Sequence, residues 1–160
     1  MTSWPKICLA IFILTIFWAT PNLGAQEFVM PKGLNAFTYE AALKDATTNK
    51  KTILLYFWAD WCPSCRHFNN NILPDKNVLK TLNKSYCVVS INTAKDPDGL
   101  AKKFQVNAIP AFIFLDAQGE PLTMLPGAVE ADIFVLVLDY VSSGSFATMD
   151  FEEYAKLKTK

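Results

Sequence analysis

Cys62-Pro63-Ser64-Cys65 joins residue types and a spacing that can do covalent chemistry. Two cysteines three positions apart lie about one helical turn from each other, near enough to close a disulfide. A continuous apolar run of strand length, 53–58, comes before the pair, and a polar helical stretch to about Asn71 follows it. The pair therefore falls where a strand hands over to a helix. Proline is tolerated in the first helical turn, so Pro63 makes Cys62 the expected N-cap. A helix start offers unpaired N–H groups and the positive end of the macrodipole, and both stabilise a thiolate. Cysteines in such places have pKa values of about 3.5 to 7.5, against about 8.5 for a free thiol. The expectation is that Cys62 attacks a disulfide and Cys65 resolves the mixed disulfide. The redox group is then the Cys62–Cys65 disulfide itself, with no further cofactor.

The rest of the chain must hold that junction in place. Thr38 is a plausible N-cap for a helix that ends near Asn49, and 53–58 reads as a strand buried on both faces. Pro74 interrupts the stretch after the cysteines, and helix resumes over 77–82. A second buried strand is expected at 86–91, then a turn at 96–99 and a short helix to Phe104. Residues 111–115 and 122–125 read as a hairpin around the turn 116–119. An apolar helix over 130–141 follows, and Asp150-Phe151-Glu152-Glu153 looks like a capping box for a last helix. The order βαβ, hairpin, helix predicts an α/β fold: a mixed β-sheet flanked by helices on both faces.

Other reactive side chains invite weaker readings. His67 is the only histidine, but Arg66 separates it from Cys65, so the Cys-x-x-Cys-His pattern of haem attachment is not met. Two residues along a helix is about 200° of rotation, so His67 points away from Cys65 and no metal site is expected there. Cys87 opens the strand at 86–91 and reads as a small buried hydrophobe. Trp61 reads as an apolar lip beside Cys62, Asp60 as an exposed loop carboxylate, and Arg66 as a weak, salt-screened support for the thiolate.

Composition sets the outer limits. The chain has 160 residues with 15 Lys+Arg against 15 Asp+Glu, a balance that argues against nucleic-acid binding. Four cysteines are too few for a disulfide scaffold and too scattered for a paired zinc ribbon. The first 25 residues hold 16 of the hydrophobic ones, with Lys6 ahead of an apolar run at 7–19 broken only by Thr15. Pro21-Asn22 and a small residue at Ala25 complete the pattern of a signal peptide, 1–25, with the periplasm as destination. A spanning helix wants roughly 20 apolar residues, so an uncleaved membrane anchor is the lesser alternative. Cys8 leaves with the leader. Residues 26–160 are expected to form one domain, with 141–160 as a helical extension in which Phe146, Phe151, Tyr154 and Leu157 pack back.

Three motifs carry a family resemblance: Trp58-Ala59-Asp60-Trp61, Cys62-Pro63-Ser64-Cys65, and Ala108-Ile109-Pro110-Ala111 before a strand. Over about 37–140 the chain resembles the thioredoxin superfamily, in particular secreted thioredoxin-related proteins and the C-terminal domain of the electron transporter DsbD. The resemblance implies a thioredoxin-like fold in which Pro110 is cis, beside the cysteines, and Ile109 pairs with an extended substrate segment. It also marks two departures. Many thioredoxins have a buried aspartate six residues before the first cysteine, where this chain has Tyr56. Tyr56 can hydrogen-bond but is no carboxylate base near neutral pH. The residues between the cysteines, Pro63 and Ser64, include no histidine, so an intermediate reduction potential is expected.

The resulting expectation is a periplasmic thiol–disulfide oxidoreductase, a monomer, acting on protein disulfides and served by a membrane or periplasmic redox partner. Reductant is favoured over oxidant because Ile109-Pro110 and the tryptophan-rich lead-in look thioredoxin-like. The alternative is a non-catalytic module of the same fold, either redox-responsive or metal-binding as a chaperone.

Overall fold

The computed structural model describes residues 29–158. The expected leader, 1–25, lies outside them. In chain order the elements are α1 (Tyr39–Asn49), β1 (Thr52–Trp58), α2 (Pro63–His67), a π turn (Phe68–Ile72), α3 (Lys76–Ser85), β2 (Tyr86–Asn92) and α4 (Leu100–Lys103). Then follow β3 (Ala111–Leu115), β4 (Pro121–Pro126), α5 (Ala131–Ser142), a 3-10 turn (Ser145–Ala147) and α6 (Phe151–Lys158).

The strands form one sheet in the order β2-β1-β3-β4. β1 runs parallel to β2, from Thr52 opposite Tyr86 to Trp58 opposite Asn92. β3 is antiparallel to both β1 and β4. This is the mixed sheet the sequence predicts, and it explains the unbroken apolar run in β1. Leu54, Tyr56 and Trp58 point into one core, with Phe68, Leu82, Phe112 and Phe134. Ile53, Leu55 and Phe57 point into the other, with Ala42, Ala46, Cys87 and Ile113. Residues of α2, α3 and α5 close the first core and residues of α1 and α4 the second, so β1 has no wet face. Each large apolar side chain buried this way contributes about 1.5–3 kcal/mol.

Thr38 caps α1 as expected, its hydroxyl accepting the Ala41 N–H at 3.2 Å. Asp150 likewise accepts the Glu153 N–H at 2.8 Å ahead of α6. The helix after the cysteines departs from expectation. The Leu73 N–H donates to the Phe68 carbonyl at 2.9 Å, five residues back, and this π turn buries Phe68, Asn69 and Ile72 together. Asp75 then caps α3 through the N–H groups of Asn77 and Val78, at 2.8 and 3.2 Å. α3 runs to Ser85 and passes directly into β2, longer than the expected 77–82 because Asn83, Lys84 and Ser85 carry no apolar side chain to extend the helical pattern.

Two flanking segments complete the fold. Ala36 bridges Val88, and the Phe37 N–H donates to the Val88 carbonyl at 2.8 Å, covering the outer edge of β2. At the other end the Tyr140 hydroxyl donates to the Met149 carbonyl at 2.6 Å, and its ring lies 5.6 Å from Phe151 and 5.2 Å from Tyr154. Phe146 and Phe151 pack onto the first core, Tyr154 is buried beside Tyr140, and Leu157 stays exposed.

Candidate active site

β1 delivers the chain to a tight turn in which the Cys62 N–H donates to the Ala59 carbonyl at 3.1 Å. Cys62 is extended there, and α2 begins at Pro63, so Cys62 is the N-cap. Its sulfur accepts the Cys65 N–H at 3.1 Å, an interaction that a thiolate would strengthen. The two cysteines are joined in a disulfide with their Cα atoms 5.2 Å apart. Cys62 is 3% exposed and Cys65 0%, so an incoming group can meet only the first sulfur. Ser64 Oγ stands 3.5 Å from that sulfur.

A second segment converges on Cys62 from the end of the sheet. The Ile109-Pro110 peptide is cis, and the Ile109 carbonyl oxygen lies 3.8 Å from Cys62 Sγ. The Pro110 carbonyl accepts the Gly127 N–H at 2.8 Å, which ties the loop after β4 to the same corner. Trp61 is 69% exposed at the rim. The structure thus gathers Cys62, Cys65, Ser64, Ile109 and Pro110 at one point, with Pro63 opening the helix and Trp61 beside it.

Tyr56 lies below, in the same core as the two cysteines. Its ring stacks on Phe112 at 4.9 Å and tilts against Phe68 at 5.3 Å. Its hydroxyl donates to Asn69 Oδ1 at 2.7 Å. Burial pushes that hydroxyl well above its ordinary range, and the Asn69 bond only partly opposes the shift. The pair is neutral at working pH. Asn69 was not foreseen: in the polar run Asn69-Asn70-Asn71 only the π turn singles out the one that faces inward.

Asp60 corrects the expectation of an exposed carboxylate. Its Oδ2 accepts Asn92 Nδ2 at 3.1 Å, and its Oδ1 is buried with no hydrogen-bond partner. The cause lies in the strand ends: the Thr93 N–H donates to the Trp58 carbonyl at 2.8 Å, prolonging the β1–β2 pairing and drawing the two exit loops together. Arg66 Nη1 donates to the Asp60 carbonyl at 2.8 Å, so this arginine braces the loop onto the first turn of α2. His67 is exposed, with its Nδ1 3.2 Å from Asn71 Nδ2.

Cys87 occupies the other core, across the sheet from Cys65. Its thiol donates to Asp45 Oδ2 at 3.2 Å. Burial pushes the thiol up to about 12, and the hydrogen bond to Asp45 and that residue's charge act in the same direction. Among the described residues no group of three or more His, Cys, Asp or Glu is arranged to hold a metal.

Known proteins share this arrangement. A family model described as a thioredoxin-like domain matches residues 39–142. The thiol:disulfide interchange protein DsbD of Salmonella paratyphi A is 33% identical over 127 residues, covering 73% of this chain. The chain spans only 22% of that relative's length. A solved thioredoxin from Thermus thermophilus superposes with a TM-score of 0.61 at 29% identity, covering 68% of this chain and 87% of its own. The reduced C-terminal domain of Neisseria meningitidis DsbD shares the fold, with a TM-score of 0.52 at 24% identity over 62% of this chain and 90% of its own. A disulfide at a helix start beside a cis-proline, inside a family match that runs from α1 through α5, leaves one conclusion: the chain belongs to the thioredoxin-like family, whose chemistry is thiol–disulfide oxidoreduction.

Proposed function

We propose that the protein is an exported, periplasmic disulfide reductase for other exported proteins, with Cys62 as attacking and Cys65 as resolving thiol. The observation that carries this is the placement of the two sulfurs. Cys62 caps α2 beside the Ile109 carbonyl with 3% of its surface open, and Cys65 is wholly buried behind it. In the reduced protein the Cys62 thiolate attacks one sulfur of a substrate disulfide, and the other substrate sulfur leaves as a thiolate that takes up a proton. Cys65 then loses its proton, attacks Cys62 Sγ and expels the second substrate sulfur. The substrate gains two electrons, and the protein keeps the Cys62–Cys65 disulfide until a dithiol partner reduces it.

Ile109 and Pro110 receive an extended substrate segment, and Trp61 covers its apolar side. Pro63 and Ser64 shape the turn, and Tyr56 supports it from below. Export rests on the leader pattern at 1–25. Among the described residues no helix is long and apolar enough to cross a membrane. The kinship with an interchange protein supports the exchange of disulfides with protein partners, and the reading takes the protein as a monomer.

The test is trapping. Cys65→Ser should accumulate mixed disulfides with exported proteins, and Cys62→Ser should accumulate none. Equal behaviour of the two variants would sink the assignment. Direction is read from the reduction potential: a value nearer −270 mV, about that of thioredoxin, supports reduction, and one nearer about −120 mV overturns it.

A further inference from the structure

One polar group at the site has no explanation in the mechanism just given: the buried Oδ1 of Asp60, which has no hydrogen-bond partner. Leaving such an atom unpartnered is costly, and more so for a charged group. A carboxylate kept in that condition calls for a reason. The rest of the residue is held firmly, with Oδ2 on the Asn92 amide and the backbone carbonyl on Arg66. Asp60 therefore cannot turn its buried oxygen to solvent without breaking the contact with β2.

We propose that Asp60 is a positioning residue whose fixed negative charge restrains formation of the Cys62 thiolate and so makes the cysteine pair more reducing. It rests on the reading of Cys62 as the attacking thiol. Residues two apart have Cα atoms within about 7 Å, inside the Debye length of about 8–10 Å. A buried oxygen is screened less than an exposed one. A like charge nearby disfavours the anion, and a dithiol whose thiolate is less stabilised gives up its electrons more readily.

The other charges on the segments that meet near Cys62 lie on α2, on the loop after β2 and on the loop after β4, which carries Glu130 at the start of α5. α2 carries Arg66 and His67, both exposed, and the loop after β2 carries Lys95, Asp96 and Asp98. Asp96 is occupied in accepting the Leu100 and Ala101 N–H groups at the start of α4, at 3.1 and 2.8 Å. Positions 106–109, which lead into Pro110, carry no charged side chain. Asp60 and Arg66 are thus opposed, with the carboxylate half-buried and the guanidinium in solvent.

The experiment uses the whole exported chain with Asp60→Asn, Asp60→Glu and, as a second route, Asn92→Ala. Two quantities are read: the pH dependence of Cys62 alkylation by iodoacetamide, and the equilibrium with glutathione. Asp60→Asn should raise the alkylation rate at pH 6 by about threefold or more and move the glutathione equilibrium about threefold towards the dithiol, some 15 mV. Asp60→Glu should stay near wild type, because it keeps the charge. Asn92→Ala should move both readings in the same direction but less, because the carboxylate is freed towards water. If Asp60→Asn and Asn92→Ala both leave the potential and the alkylation profile at wild-type values, the proposal is wrong. It is equally wrong if Asp60→Glu shifts them as far as Asp60→Asn. Failure of the Cys65→Ser variant, with Asp60 intact, to trap any substrate would instead overturn the functional reading, and that outcome is separate.

Discussion

Cys62 and Cys87 are the same side chain in opposite settings. Cys62 caps a helix with only a small part of its surface open, and the Cys65 N–H points at its sulfur. Cys87 sits inside β2, wholly buried, with its proton on a carboxylate. The helix start stabilises an anion, whereas the strand core withholds water and places Asp45 where it opposes one. Residue type is shared, so the backbone element each cysteine occupies decides which is reactive.

The largest expected effect separates them outright. Cys62→Ser should drop reduction of insulin disulfides to the uncatalysed rate, while Cys87→Ala should keep it within about twofold. Coupled turnover with dithiothreitol measures both, and equal losses would break the comparison. Next comes the floor beneath the site. Tyr56→Phe keeps the rings on Phe112 and Phe68 but strands Asn69 Oδ1, so urea denaturation should show a loss of about 1–3 kcal/mol.

A smaller effect concerns pH. The folded Cys87 thiol holds its proton to about 12, above its ordinary value of 9.0, so the folded state binds more protons than the unfolded state between those limits. Its contribution to stability is complete below about pH 9 and is lost as pH rises towards 12, by at most about 1.4 kcal/mol per pH unit. Between pH 9 and 10, Cys87→Ala should therefore lose stability less steeply than wild type, and parallel curves would contradict the burial argument. The smallest effect on folding belongs to Trp61→Ala, an exposed position where stability should change by no more than about 0.5 kcal/mol. The KM for a protein disulfide should rise in that variant, and an unchanged KM would remove Trp61 from the substrate surface.

Much of this was legible in the sequence for physical reasons. The unbroken apolar run before Cys62 suits a strand covered on both faces, and Pro63 stands where a first-turn proline is tolerated, as the structure shows. Thr38 and Asp150 announced their helices by cap chemistry. The cis peptide before Pro110 came from family resemblance, since spacing alone does not reveal an isomer. What stayed hidden depends on contacts between distant segments. The π turn changes which of three consecutive asparagines faces inward, and no local propensity marks it. Asp60 reads as a loop carboxylate until β2 brings Asn92 against it.

The central claim is that the fold makes Cys62 reactive and keeps Cys87 inert, and competitive alkylation tests it directly. The reduced, folded protein is treated with limiting iodoacetamide at pH 7, and each cysteine is quantified by peptide mass. The account predicts label on Cys62 first, and on Cys87 only after unfolding. Label on folded Cys87 at a rate matching Cys62 would contradict it.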